Sequence, residues 1–201
     1  MIRSATSAGR IKELMKREAH RYLPAGIPAD ALDNLPLRDC YFTQDGEKVA
    51  FVKFAGREVA FLYLSHWMEG GRFVLRVLLH ETAKRGQLYA FTLAGNEQMA
   101  KILDKVGERA GTFYGTLHKA DVPHLPELHQ AGVMKFGGTA VYYNGLYLYS
   151  ASDDPSLIER ACRYFCCPYF VSLSREKGEF AVHQYLINPG KVRFWLKKLR
   201  G

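Results

Sequence analysis

The residues best suited to chemistry gather around Gly70-Gly71. A strand-like run, Val59 to Met68, meets a helix-like run, Arg72 to Gly86, at that glycine pair. Such a junction leaves backbone amides able to receive an anion. Arg72, Arg76, His80 and Lys84 follow at a spacing of four and share one helix face. That stripe reads either as a cover for an anionic ligand or as a solvated outer face. Four cysteines, Cys40, Cys162, Cys166 and Cys167, show neither a CxxC repeat nor a histidine partner at zinc-like spacing, so they read as buried free thiols. His66 and Trp67 read as strand-end packing, and Tyr142, Tyr143, Tyr147 and Tyr149 as the rings of a hairpin.

These side chains need a layered scaffold to hold them. From Val59 to His118 the chain reads strand, helix, strand, helix, strand, which predicts a mixed α/β sheet covered by helices. Upstream, Ile11, Leu14, Met15 and Ala19 recur at helical spacing over about 8–22, and Pro24 and Pro28 close that helix. Met1 to Ser7 reads as a short first strand. Turn signals at Asp45-Gly46 and Ala55-Gly56 then separate antiparallel strands. Gly107 ends the helix that Asn96 begins. Past Lys119 the composition changes, and a hairpin at Asn144-Gly145, a helix capped by Asp153 or Asp154, and two strands over 170–173 and 180–187 complete the chain. Pro189-Gly190 reads as a turn before a basic, aromatic terminus. No internal repeat is read. Two units are expected, 1–119 and an α+β extension over 120–201.

With 48% hydrophobic and 24% charged residues, the chain is neither disordered nor fibrous. No apolar run is long enough for a membrane span, and the N-terminus lacks the apolar core of a signal peptide, so a cytoplasmic protein is expected. The net charge is +8. Much of it lies in 175–201, where seven basic residues stand against Glu176 and Glu179, an excess of five. Nucleic acid, an acidic partner or a polyanionic ligand would suit such a terminus; so would simple solvation.

The order of elements resembles the Gcn5-related N-acetyltransferase superfamily over roughly residues 1–118. Ile2-Arg3-Ser4-Ala5-Thr6 and its helix resemble the family's opening. Leu88 to Gly107, with Asn96, Ala100, Lys105 and Gly107, resembles the family's fifth strand and following helix. Glu69-Gly70-Gly71 stands where the acetyl-CoA pyrophosphate loop would be. The resemblance implies acetyl transfer from acetyl-CoA to an amine on a small molecule or protein. It implies Gly70, Gly71, Arg72, Arg76 and Asn96 as cofactor-binding residues. Glu69 is the nearest carboxylate to the implied base, and Tyr114 stands in for an acid tyrosine whose usual place falls near Leu103. The loop departs from the family pattern, with Trp67 at the basic position and bulky Arg72 at the last small one. That departure fits a second expectation: a non-catalytic member acting as a structural or interaction protein, such as a phage virion or accessory protein.

Overall fold

The structure is a computed structural model and describes residues 5–37, 40–45 and 48–199, with side chains outside that description for a few of them, including Met68 and Glu69. The expected strand over Met1 to Ser7 falls partly outside the described residues; from Ala5 the chain is helical. Helix α1 (Ala5–Arg17) is followed by two short 3-10 segments, Ala19–Arg21 and Ala29–Asn34. Strands β1 (Cys40–Asp45), β2 (Lys48–Ala55) and β3 (Glu58–Leu64) form an antiparallel meander. Helix α2 (Trp67–Arg85), β4 (Tyr89–Leu93), α3 (Glu97–Val106) and β5 (Gly107–Lys119) follow. Then come β6 (Gly132–Phe136), β7 (Thr139–Tyr143), β8 (Leu148–Ser150), α4 (Pro155–Phe165), β9 (Tyr169–Ser174), β10 (Phe180–Ile187) and α5 (Pro189–Lys198). The mixed α/β architecture with helices flanking a mixed sheet is as expected.

One ten-stranded sheet runs through both halves, in the order β1-β2-β3-β4-β10-β5-β9-β8-β7-β6. Its strand directions read the same from either end. The pairs β3–β4 and β8–β9 are parallel, and every other neighbouring pair is antiparallel. Each half is therefore a three-strand meander, a crossover helix and a parallel fourth strand. Each half then sends its fifth strand, β5 or β10, across to lie against the other half's fourth strand. This corrects the expectation of no repeat: the repetition lies in topology, between β1–β5 and β6–β10.

Two glycines make the crossing feasible. The 175–179 link passes over β5, with Glu179 N–H donating to Gly115 O at 2.7 Å. A Cβ on Gly178 would stand 2.7 Å from that same carbonyl oxygen, and one on Gly115 would stand 2.3 Å from the Phe180 ring. Only side-chain-free backbone lets the two segments approach so closely.

Three apolar clusters hold the layers. The largest joins α2, α3 and α5 to one face of the sheet through Leu75, Leu78, Leu103, Val192 and Tyr185. A second packs α1 and the 3-10 segments on the opposite face of β2 and β3 through Ile11, Met15, Leu32, Phe51 and Phe61. The third packs α4 against β7–β9. The far end of α2 is tied down by charge. Glu81, fully buried, accepts from Tyr41 Oη at 2.6 Å and from Arg85 Nε, while Arg85 Nη1 donates to Gly56 O at 2.7 Å. Burial pushes the Glu81 carboxyl up, but the bonds from Tyr41 and Arg85 outweigh it and hold it low.

The basic terminus is a helix rather than a tail after a turn. Pro189 occupies its first position, and Asn188 Oδ1 accepts from the N–H groups of Gly190 and Lys191. Val192 and Leu196, four apart, are the face it buries.

Candidate functional site

The parallel pair β3–β4 is joined only at Glu58–Tyr89 and Val59–Ala90. Past these residues the strands part, and Ala60 to Leu64 and Phe91 to Leu93 turn backbone edges toward a gap. Unpaired strand edges retain their demand for hydrogen-bonding partners. An apolar cavity of about 90 Å³ lies at this opening. Met99 and Leu103 of α3 close it from one face of the sheet; Tyr149 and Val171 of the second half close it from the other. A wider cleft shares Pro24, Leu93 and Phe180 with the cavity wall. Pairing on the far edges allows the parting. β4 bonds along its other edge to β10, while β3 continues its ladder with β2, so neither strand needs the other beyond Ala90.

Asn96 reaches this site. Its side chain caps α3 by accepting from Met99 N–H at 3.1 Å, and it lines the cavity. Gly70 and Gly71 sit elsewhere than at a free helix start. Helix α2 begins at Trp67, and Gly70 N–H already donates to His66 O at 3.0 Å. A Cβ on Gly70 would stand 2.2 Å from Leu64 Cδ1 and 3.1 Å from Ala50 Cβ, so this glycine serves close helix-to-sheet packing. Gly71 lies against the Trp67 ring. Arg72, Arg76, His80 and Lys84 are all exposed on the outer face of α2. Glu69 is in the first turn of α2, its side chain outside the described residues. Tyr114 lies on β5, three strand positions from β3, about 14 Å at ordinary sheet spacing, and does not line the cavity. The structure thus brings Asn96 to the opening and leaves Arg72, Arg76 and Tyr114 away from it.

Sequence reading passed over two features nearby. The start of α2 has no side-chain cap from His66. Trp67, its first residue, packs edge-on to Trp195 of α5, with Lys105 Nζ 4.8 Å from the Trp67 ring centre and Lys198 Nζ 4.8 Å from that of Trp195. The second feature is Glu58, next to Val59 of the cavity wall. It is buried, its Oε2 has no hydrogen-bond partner, and burial pushes its carboxyl up to about 7. Tyr142 and Tyr149, which feel its charge, stack on each other with ring centres 5.1 Å apart. Glu58 opens β3 straight after the Gly56-Arg57 turn, where a charged residue ordinarily faces water, so no local pattern signalled its burial. The aromatic wall is where the hairpin tyrosines read from the sequence come to lie. Tyr22 Oη donates to Met15 O at 2.5 Å, and Tyr147 and Tyr149 are turned inward, so these hairpin rings pack rather than stack on bases.

The cysteines are free, and burial pushes the thiols of Cys162 and Cys167 up to about 12, which leaves them protonated and inert. Among the described residues no group of three or more His, Cys, Asp or Glu could hold a metal ion, and no helix is long and apolar enough to cross a membrane. No protein-family profile, curated protein or solved structure matches the chain.

Proposed function

We propose that the chain is a two-unit relative of the Gcn5-related N-acetyltransferase superfamily that binds an acyl-CoA thioester at the β3–β4 opening and passes its acyl group to an amine. The observation that carries this reading is the splayed parallel pair, which opens onto an apolar cavity while β3 leads on into an uncapped helix start at Trp67. An acyl-CoA arm fits those residues. Its amides match the free edges of Ala60 to Leu64 and Phe91 to Leu93, and its acyl end matches the wall made by Met99, Leu103 and Tyr149. Its diphosphate suits the unpartnered amides of the first turn of α2, with Lys105 and Lys198 as cations in place of Arg72 and Arg76. The bound thioester supplies an activated acyl group. The chain's part is to hold that group out of water and to take a proton from the amine; the C–N bond forms as the C–S bond breaks, and the thiolate leaves with CoA, so that the proton lost by the amine balances the one the free thiol gains. Glu58, which precedes Val59 of the cavity wall and has its carboxyl raised by burial, is the acid assigned to that step.

A second reading is a non-catalytic interaction protein on the same scaffold. It is favoured by α5, which packs against both α2 and α3 and sets Trp195 across the start of α2. Phe194, 60% exposed on the same helix, offers an apolar contact amid basic neighbours for an acidic protein partner. The setting we propose is cytoplasmic for the enzyme, with a virion as the setting that suits the interaction protein.

Calorimetric titration with acetyl-CoA separates these readings. Saturable heat is expected, weakened at least about tenfold in Lys105→Glu/Lys198→Glu, lost on filling the cavity with Ala60→Phe, and unchanged in Arg72→Glu. Absence of both heat and thermal shift at millimolar ligand removes the cofactor from the proposal. Binding without acetylation across an amine panel selects the interaction reading.

A further inference from the structure

A second cleft, of about 760 Å³, lies in the other half of the molecule. It occupies the place where β8 and β9, the second parallel pair, come to an end, bounded by β5 and by the link that crosses over it. The carboxyl ends of parallel strands are a recurrent ligand position in α/β folds, because loops and helix starts gather there. The site is related to the β3–β4 opening by the palindromic strand order, but its chemistry differs.

Arg175 and Lys177 line one side of the cleft; both are exposed, and neither enters an ion pair among the described residues. The Arg175 guanidinium is held over the Phe113 ring at 5.6 Å, which fixes a cation beside an apolar wall. Glu179, on the same link, is already engaged by Leu117 N–H. On the β5–β9 wall, His118 Nε2 and Ser172 Oγ share a hydrogen bond of 2.8 Å, leaving further polar capacity on both groups. Asp153 lines the cleft from the loop before α4, and it too has no ion-pair partner among the described residues. Two unpaired cations, one unpaired carboxylate and an aromatic wall do not suit a bare anion. They suit a ligand with an anionic group at one end, hydroxyls that a carboxylate can accept, and a flat ring between apolar walls.

We propose that this cleft binds a nucleoside 5′-monophosphate, with the phosphate at Arg175 and Lys177, the ribose hydroxyls at Asp153 and the base against Phe113. The same chemistry is offered by a free nucleotide and by the phosphorylated end of a nucleic-acid strand. The proposal is independent of the acyl-transfer reading, and acetyl-CoA binding at the first site neither supports nor opposes it.

The test is calorimetry on the full chain with AMP, 2′,3′-dideoxy-AMP, inorganic phosphate, and a ribotetranucleotide with or without its 5′-phosphate. AMP is expected to bind at least tenfold more tightly than phosphate. Arg175→Ala/Lys177→Ala should weaken AMP at least tenfold at an unchanged melting temperature, since both side chains are exposed. Asp153→Asn should weaken AMP but leave dideoxy-AMP unaffected, a difference that a general loss of fold would not produce. Saturable binding of AMP supports the free nucleotide as source; binding of only the 5′-phosphorylated tetranucleotide supports the strand end. No saturable binding of any of these, equal binding with and without the 5′-phosphate, or binding untouched by the charge variants overturns the proposal.

Discussion

Glu58 has the least favourable surroundings of any carboxylate described here, and those surroundings give it a measurable signature. Its Oε2 is buried without a partner, and its neighbours from the second half are the half-buried Tyr142 and the buried Tyr149. Burial raises its folded-state pKa to about 7 from the ordinary 4.5. Below about pH 4.5 the carboxyl is protonated in both folded and unfolded chains, and it costs nothing. As pH rises toward 7 the unfolded chain releases the proton first, so the folded state loses stability. Above about 7 the loss is complete, at roughly 3 kcal/mol for a shift of this size. Glu58→Gln should therefore raise the melting temperature at pH 8 and leave it nearly unchanged at pH 4.5. An equal effect at both values would show that the ionised form is not disfavoured. If Glu58 also serves as the base in acyl transfer, the same substitution should lower turnover while leaving acetyl-CoA affinity in place.

At the scale of elements, the glycines distinguish two kinds of close approach. A Cβ on Gly178 meets backbone, the Gly115 carbonyl oxygen and the Tyr114 carbonyl carbon, both at 2.7 Å. Neither can move without displacing β5. A Cβ on Gly70 meets chiefly the tip of the Leu64 side chain, and a helix interior gains from alanine in place of glycine. Gly178→Ala should therefore destabilise by about 3 kcal/mol or more, and Gly70→Ala by roughly 1 kcal/mol, measured by denaturant midpoint. Comparable losses would mean that the crossing is no tighter than the helix packing. These two glycines also mark how far the sequence could be read. Asn96, Asp154 and the Asn144-Gly145 turn announce themselves locally, because a cap or turn residue acts on its immediate neighbours. Gly70-Gly71 carried the same local signal of a break, yet the helix runs through it. Its cause is Leu64 and Ala50 on the strands below, contacts that no local pattern contains. Helix α5 was missed for a related reason: Pro189-Gly190 has the composition of a turn, while only the spacing of Val192 and Leu196 reports a buried face. The site divides in the same way. Asn96 could be placed from its own neighbourhood; the opening depends on where β3 and β4 separate, which long-range pairing with β2 and β10 decides.

For the whole molecule, the exchange of fifth strands decides how it folds and unfolds. Strand β10 comes from the C-terminal half but lies between β4 and β5 of the first, with eight register pairs to β5 and five to β4. Strand β5 in turn supplies the partner for β9. A chain ending at Asp121 would leave β4 and β5 with a strand missing between them, and the remainder would carry β10 with neither neighbour. Neither fragment can satisfy those backbone groups or bury Tyr185, Ile187 and the α5 residues Val192 and Leu196 in the large cluster. Separate fragments 1–121 and 122–201 should accordingly show no cooperative thermal transition by circular dichroism. An equimolar mixture should recover both the transition and a single species of intact mass on size exclusion. The intact chain should unfold in one step, with tryptophan fluorescence, which reports Trp67 and Trp195 near α2 and α5, tracing the same denaturant curve as the far-ultraviolet signal of both halves. A cooperative melt in either isolated fragment, or a tryptophan curve displaced from the far-ultraviolet one, would mean that the two units are stable apart and that the interlock is an ornament of the topology rather than its main constraint.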